Sequence, residues 1–277
     1  MMMLSVILPA SNEEAWIGPC LEALLASDPP GMAAEVIVVA NACQDGTVAQ
    51  AQARAGVARA AGWGLRVLEL AEPGKLNALN VGDRAATGAL RVYLDADVGV
   101  SPALIGQIAR ALSAAPGPAY ASGTPVIPRA RSAVTRAYAR FWQALPFARS
   151  PAPGFGLFAM NAAGRARWGD WPAIISDDTF ARLHFAPHER IGLPATYSWP
   201  MVEGFARLAR VRRRQDAGVA ELATRWPDLL HNEGKPRLEA GALARLALAD
   251  PAGFAIYAAV SLAVRFGRSQ GAWVRGR

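Results

Sequence analysis

Residues 90–99 read LRVYLDADVG, an apolar run that ends in Asp95 and Asp97 with only Ala96 between them. If the strand continues through both acids, alternation points their carboxylates to one side, about two residue rises apart. Two carboxylates so placed can share a hard cation such as Mg²⁺ or Mn²⁺, whose open positions suit phosphate oxygens. Taken alone, the triplet reads more simply as a solvated turn. A second acidic pair, Asp177 and Asp178, follows Ser176 in ISDDTF. On the residues alone, an ordinary helix start is the stronger reading, with a serine cap and two acids favoured by the helix dipole. Lys75, in PGKLN, is one of only two lysines in an arginine-rich chain. That suits a point charge against phosphates, and a surface residue opening a helix is the alternative.

The elements that must position these residues are legible from periodicity. Strand-length apolar runs recur as LSVILP, EVIVVA, LRVLEL and LRVYLD. Between them lie segments of helical spacing, the first from Glu13 to Ala26 with Ile17, Leu21, Leu24 and Leu25 on one face, the next two after Gly46 and Gly74. Continuous rather than alternating apolar strands, separated by helices, predict an α/β fold with a mostly parallel sheet covered on both faces. Ligands of such sheets bind at the carboxyl ends of the strands, which singles out PASNE, NACQDGT, EPGKLNALN and DAD. The pattern loosens after about Thr124. Residues 131–147 predict an aromatic, basic helix with Val134, Tyr138, Phe141, Trp142 and Leu145 on one face. The loop SPAPGFG, a strand over LFAMN and a helix from ISDDTF follow, and from Ala217 the chain reads as helices. The expected division is one domain with a first part over 1–124 and a second over 125–216, followed by a helical segment over 217–277.

Taken in order at successive strand ends, SVILPASNEE, VIVVANACQDGT, PGKLNALN and VYLDADV resemble the nucleotide-sugar-binding half of family 2 glycosyltransferases with the GT-A (Rossmann-like) fold. The resemblance is strong to about residue 100 and continues more weakly to about 215. It implies donor binding for the part over 1–124 and acceptor binding and catalysis for the part over 125–216. It further implies that Pro9, Asn12 and Glu13 line the base and ribose pocket. Asn41 stands where the family usually has an aspartate that reads the base, which leaves the base open. Asp45 matches an acid of the same loop that is often structural. Lys75 would approach the nucleotide or its phosphates, Asp95 the ribose or the metal, and Asp97 the metal and diphosphate. The family's downstream Glu-Asp pair appears here as Asp177 and Asp178, with Asp178 the implied general base and Asp177 orienting it or touching the acceptor. LARVRRRQDAG loosely resembles the Gln-x-x-Arg-Trp motif of processive members, with Arg214 at the arginine, but the Gln and Trp are absent. The implied activity is inverting, Mg²⁺- or Mn²⁺-dependent transfer from a nucleotide sugar, expected to be UDP-linked, to a hydroxyl acceptor, with a lipid acceptor suggested by the aromatic basic helix and apolar tail. The rivals are a non-catalytic nucleotide-sugar-binding protein and a nucleotidyltransferase, which would carry a Gly-rich basic loop where this chain has PASNEE.

The rest of the sequence bounds these readings. A net charge of +7 over 277 residues favours anionic partners without selecting one. No zinc-finger or RNP-like spacing argues for nucleic acid. Two cysteines without CxxC suggest neither a disulfide framework nor a thiolate metal site. The beginning MMMLSVILPASNEE lacks the basic region of a signal peptide, so a cytoplasmic location is expected. Gly154–Ala159 matches GxGxxA, but prolines precede it instead of a strand, so it reads as an acceptor-side loop. His184 and His188 are separated by Pro187, which spoils a shared metal-binding face. Pro251–Val264 carries no charge, yet as a helix it is about 20 Å long against a hydrocarbon core of roughly 30 Å. With Arg265, Arg268, Trp273, Arg275 and Arg277 beyond it, two readings stay open: docking on the inner leaflet surface, or a buried helix with a solvated tail.

Overall fold

The computed structural model describes residues 2–234 and 238–266. The first part alternates as the periodicity predicts: β1 (Met3–Ala10), α1 (Glu14–Leu25), β2 (Ala33–Asn41), α2 (Thr47–Gln52), α3 (Ala55–Ala60), β3 (Trp63–Leu70), α4 (Lys75–Ala85) and β4 (Leu90–Leu94). The one helix expected after Gly46 is thus two short ones. Next come β5 (Gly99–Val100), α5 (Leu104–Ala114), β6 (Tyr120–Val126), α6 (Ala133–Ala144), β7 (Leu157–Asn161), α7 (Ala162–Arg165), α8 (Asp177–Leu183), β8 (Arg190–Ser198), α9 (Phe205–Arg225), α10 (Ala240–Ala249) and α11 (Pro251–Phe266). β6 runs across position 124 and α9 across position 216, so regular elements bridge the divisions expected there.

Among the described residues the strands form one sheet in the order β3-β2-β1-β4-β7-β6-β8-β5. β1 to β4 are parallel, β7 runs antiparallel to both β4 and β6, β6 and β8 are parallel, and β5 is antiparallel to β8. The apolar runs are continuous because both faces are covered. Leu4, Val6 and Leu8 pack with Ile17, Leu21 and Leu24 of α1, while Ile37 and Val39 pack with Ala78 of α4 on the other face. At Gly82 α4 comes so near β1 that a Cβ would lie 2.4 Å from Ile7 Cγ2.

Two boundaries differ from the expectation for physical reasons. β4 ends at Leu94, so Asp95 and Asp97 do not continue the strand: the Asp95 N–H donates to Gly156 O (2.8 Å) and Asp95 O accepts from Val98 N (3.1 Å), closing a turn around buried Ala96. The helix expected over 131–147 stops at Ala144 because Leu145 precedes Pro146 and is held extended (ψ 141°), after which Pro146–Arg149 makes a 3₁₀ turn.

At the C-terminal side α11 lies on α6 and α9. Val260 is fully buried, and Tyr257 stacks on Tyr138 (5.5 Å between ring centres) and contacts Phe141 (5.2 Å). The opposite side of α11 leaves Leu262 and Phe266 exposed, and α10 buries no residue, with Leu248 83% exposed. Among the described residues no helix is long and apolar enough to cross a membrane. Arg268, Trp273, Arg275 and Arg277 lie outside the described residues.

Candidate active site

The carboxyl ends of β1, β2 and β4 open into a cleft of about 330 Å³, closed on the far side by the loop before β7, the start of α8 and the first turns of α9. Pro9, Glu13, Asn41, Lys75, Asp95, Asp97, Asp177, Asp178 and Arg214 all line it. Positions more than a hundred residues apart in sequence, each expected to serve one site, are thereby brought together. Asn12 is the exception. It is exposed outside the cleft lining, with φ +52°, and its Oδ1 accepts from Gln44 N (2.7 Å), fastening the loop after β1 to the loop after β2.

Lys75 joins the two acidic pairs. As the first residue of α4 it projects between them, its Nζ 2.8 Å from Asp95 Oδ1 and 2.9 Å from Asp177 Oδ2. Burial opposes its charge, but Asp177 and then Asp95 outweigh that and push the ammonium pKa above its ordinary value. Gly74 makes the placement possible: its φ of +148° turns the chain into α4 in a conformation that side chains disfavour. The Gly74 N–H donates to Asn41 Oδ1 (3.1 Å), while Asn41 Nδ2 donates to Ala10 O (2.8 Å). Buried Asn41 therefore ties β1, β2 and the Gly74 turn together through a donor and an acceptor, and a carboxylate could supply only the second. Asp45 works locally, accepting from Thr47 N (3.0 Å) and Glu14 N (3.2 Å).

The environments of Asp177 and Asp178 separate the pair. Asp177 is buried and committed to Lys75. Asp178 accepts from Thr179 N (2.6 Å), yet burial first and the neighbouring Asp177 second raise its carboxyl pKa above the ordinary value. A carboxylate with increased proton affinity, facing a cleft, is suited to accept a hydroxyl proton.

Sequence reasoning missed how α8 is aimed. Asn80 of α4 pairs reciprocally with the Trp171 backbone, accepting from Trp171 N (2.7 Å) and donating to Trp171 O (3.1 Å). One turn on, Asp83 accepts from Trp171 Nε1 (2.7 Å), Tyr93 Oη (2.7 Å) and Arg165 Nε (3.0 Å). The helix that presents Lys75 thus also clamps the segment leading into Asp177 and Asp178. The only signal was the run of polar residues at one face of PGKLNALNVGD; nothing local named their partners.

Asp95 and Asp97 flank the turn and offer hard oxygen donors that fit Mg²⁺ or Mn²⁺. Among the described residues no three His, Cys, Asp or Glu side chains are grouped to hold a metal by themselves, so the ligand set would need oxygens from a bound phosphate. His184 is occupied elsewhere, its Nδ1 2.8 Å from Phe180 O and its ring against Phe180 and Trp168, and Pro187 opens a separate 3₁₀ turn carrying His188. Of the four clustered arginines, Arg212 and Arg214 reach the cleft; Arg212 is anchored to Asp216 Oδ1 (2.9 Å) and Tyr257 Oη (3.2 Å), while Arg213 donates to Ala263 O (3.1 Å).

The remaining wall is apolar. Trp142 packs on Phe155 (5.4 Å) and Trp199 (5.6 Å), Phe155 stacks on Trp199 (5.1 Å), and Tyr138, Met201, Val202, Leu208 and Val211 extend the surface. SPAPGFG accordingly supplies a cleft loop, with Gly156 (φ +68°) pressed against Val98 and Trp199, where a Cβ would come within 3.0 Å.

Residues 5–179 match the sequence profile of glycosyl transferase family 2. No curated protein sequence matches. Among solved structures, the mannosyltransferase PcManGT of Pyrobaculum calidifontis, in complex with GDP-Man and Mn²⁺, superposes with a TM-score of 0.61 at 24% identity over 96% of this chain and 76% of that one. Glucosyl-3-phosphoglycerate synthase from Mycobacterium tuberculosis, with Mg²⁺ and UDP, gives 0.53 at 22% identity over 81% and 79%. S. aureus TarS 1–349 with UDP gives 0.53 at 16% identity over 100% and 95%. The curled, mostly parallel sheet with its helices is the fold of these GT-A enzymes.

Proposed function

Because the chain belongs to glycosyl transferase family 2, we propose that this glycosyltransferase moves a sugar from a nucleotide diphosphate donor, expected to carry UDP, to an acceptor hydroxyl with inversion at the anomeric carbon. The observation that carries the reading is Lys75 bridging Asp95 and Asp177 in the cleft that Asp178 also lines. Asp178 takes the proton of the acceptor hydroxyl as its oxygen attacks the anomeric carbon from the face opposite the diphosphate. One C–O bond forms while the bond to the diphosphate breaks, and the nucleoside diphosphate leaves with the electron pair. Lys75 neutralises carboxylates that would otherwise repel the donor, and Arg214, which also lines the cleft, meets phosphate oxygens of the donor in this reading. Asp97 with Asp95 would hold a Mg²⁺ or Mn²⁺ ion, which supplies charge neutralisation on the departing diphosphate; the solved relatives bound to Mn²⁺ or Mg²⁺ with nucleotide support that expectation.

Donor recognition falls to residues 1–124, acceptor recognition and the base to 125–216. Exposed Leu248, Leu262 and Phe266, with Arg265 beside them, support peripheral contact of the C-terminal helices with the inner leaflet. The test is a panel of nucleotide sugars, scored by thermal shift with and without Mn²⁺ and then by transfer. A donor that stabilises the wild type and is turned over, with Asp178→Asn binding it but losing at least about a hundredfold in turnover, is the expected result. Binding without turnover by the wild type would favour a nucleotide-sugar-binding module instead.

A further inference from the structure

We propose that the acceptor is an alcohol carried on an apolar body of lipid character, a long-chain or isoprenoid-type alcohol, laid along the Trp142–Phe155–Trp199 wall with its hydroxyl at Asp178. The proposal deepens the transfer reading above and rests on it for the role of the hydroxyl. The cleft is lined by two kinds of side chain: Glu13, Lys75, Asp95, Asp97, Asp177 and Asp178 are charged, while Trp142, Phe155, Trp199, Met201, Leu208 and Val211 form an apolar wall that begins, at Phe155, beside the Asp95 turn. A pocket for a sugar acceptor needs side chains that pair with its hydroxyl groups, because a hydroxyl buried without a partner gives up its hydrogen bonds to water and gains none in return. The apolar wall is poor in them: beyond the indole N–H groups of Trp142 and Trp199 and the Tyr138 hydroxyl, which faces Arg212, its groups are hydrocarbon, thioether or ring, with Arg212, Arg214 and Gln215 bordering it along α9. Phe155, Trp199, Met201 and Val202 are only partly buried, leaving apolar surface open to a ligand. A second observation points the same way. Tyr138, Trp142 and Leu208 belong to one cluster with Ile256, Tyr257 and Val260 of α11, the helix whose outer side exposes Leu262 and Phe266. The acceptor wall and the exposed apolar helix are two faces of one packed unit, as befits an enzyme that takes its acceptor from a lipid phase.

The test is calorimetric binding of 1-O-alkylglycerols from ethyl to octyl, each below its micelle concentration, with and without UDP and Mn²⁺. Affinity should rise about two- to fourfold per added methylene over the series. Trp199→Ala should flatten that dependence, whereas Val57→Ala, on exposed α3 outside the cleft, should leave it intact. Equal affinity for the ethyl and octyl compounds, or tighter binding of maltose than of octylglycerol, would overturn the proposal; the wild-type series decides this even if the tryptophan variant fails to fold. A steep chain-length dependence without any thermal shift by UDP or GDP would support the apolar site and overturn the donor reading, so the two failures are distinguishable.

Discussion

Removing the lysine between the two acidic pairs should be costly in a way that a second substitution repairs. In Lys75→Met, Asp95 and Asp177 lose the ammonium that lies 2.8 and 2.9 Å from their oxygens. Those oxygens can then be no farther apart than the two distances end to end, and at roughly 5 Å with an effective dielectric of about 20 their repulsion is about 3 kcal/mol. Lys75 and Asp95 are 35% and 37% exposed, so solvent screening reduces this to about 1–2 kcal/mol. Asp177 is only 9% exposed, and its unpaired charge adds about another 1 kcal/mol. A loss of about 2–3 kcal/mol corresponds to a midpoint lowered by roughly 4–12 °C. Since Asp177 and Asp95 hold the ammonium charged well past its ordinary range, the measurement at neutral pH sees a full charge in the wild type. Thermal or urea unfolding of Lys75→Met, Asp177→Asn and the double variant completes the cycle. The double variant should recover about 1–2 kcal/mol relative to Lys75→Met, because the neutral amide introduced by Asp177→Asn no longer opposes Asp95. Additivity within about 0.5 kcal/mol would refute the bridging role.

The raised Asp178 carboxyl predicts opposite effects on rate and stability. A carboxyl whose folded pKa lies above the unfolded one loses stability as pH rises through the unfolded value towards the folded one, so the ionised form is a standing cost at neutral pH. Asp178→Asn should therefore melt above the wild type at neutral pH, with the difference shrinking on acidification, and the acid limb of wild-type kcat/KM should fall above the ordinary aspartate range; a limb at the ordinary value would contradict the assignment. Asn41→Asp removes the donor to Ala10 O from a buried site and should cost about 1–3 kcal/mol in urea unfolding, with unchanged stability as the refuting result. Asp83→Asn leaves the acceptor oxygen count short for Trp171, Tyr93 and Arg165, and should lower kcat at least about tenfold with little change in donor KM; equal changes in both would reduce the clamp to scaffolding.

How much of this could be read from the chain depended on the range of the interaction. The parallel half announced itself because Val36 to Val39 and Leu4 to Leu8 are buried on both faces, and double burial leaves an unbroken apolar run. The rule that ligands gather at strand ends pointed to Pro9, Asn41, Lys75 and Asp95, and the fold gathers these four around one opening. The end of β4 stayed open between strand and turn because it is set by Gly156 O, sixty-one residues downstream, and no local pattern carries that bond. Asn41 illustrates the same limit. Its type marked a departure, but its partners are Ala10 O and Gly74 N, and only the folded chain shows that the amide is spent on the scaffold. The clamp of Asn80 and Asp83 on Trp171 spans some ninety residues and left no trace beyond a polar helix face.

β7 enters the sheet against the direction of β4, and that single reversal has a consequence for engineering. Because it runs backwards, its beginning rather than its end meets the outgoing turn of β4, so Phe155 and Gly156 arrive beside Asp95 and Ala96. The apolar wall and the Asp95–Asp97 turn are therefore stitched along one shared seam, with β7 lodged between β4 and β6. A chimera that exchanges acceptor preference between relatives cannot be cut where the chain first leaves the parallel strands. It must carry β7 together with the partner it is hydrogen-bonded to, or the graft will bring a new wall to a cleft whose floor no longer fits it.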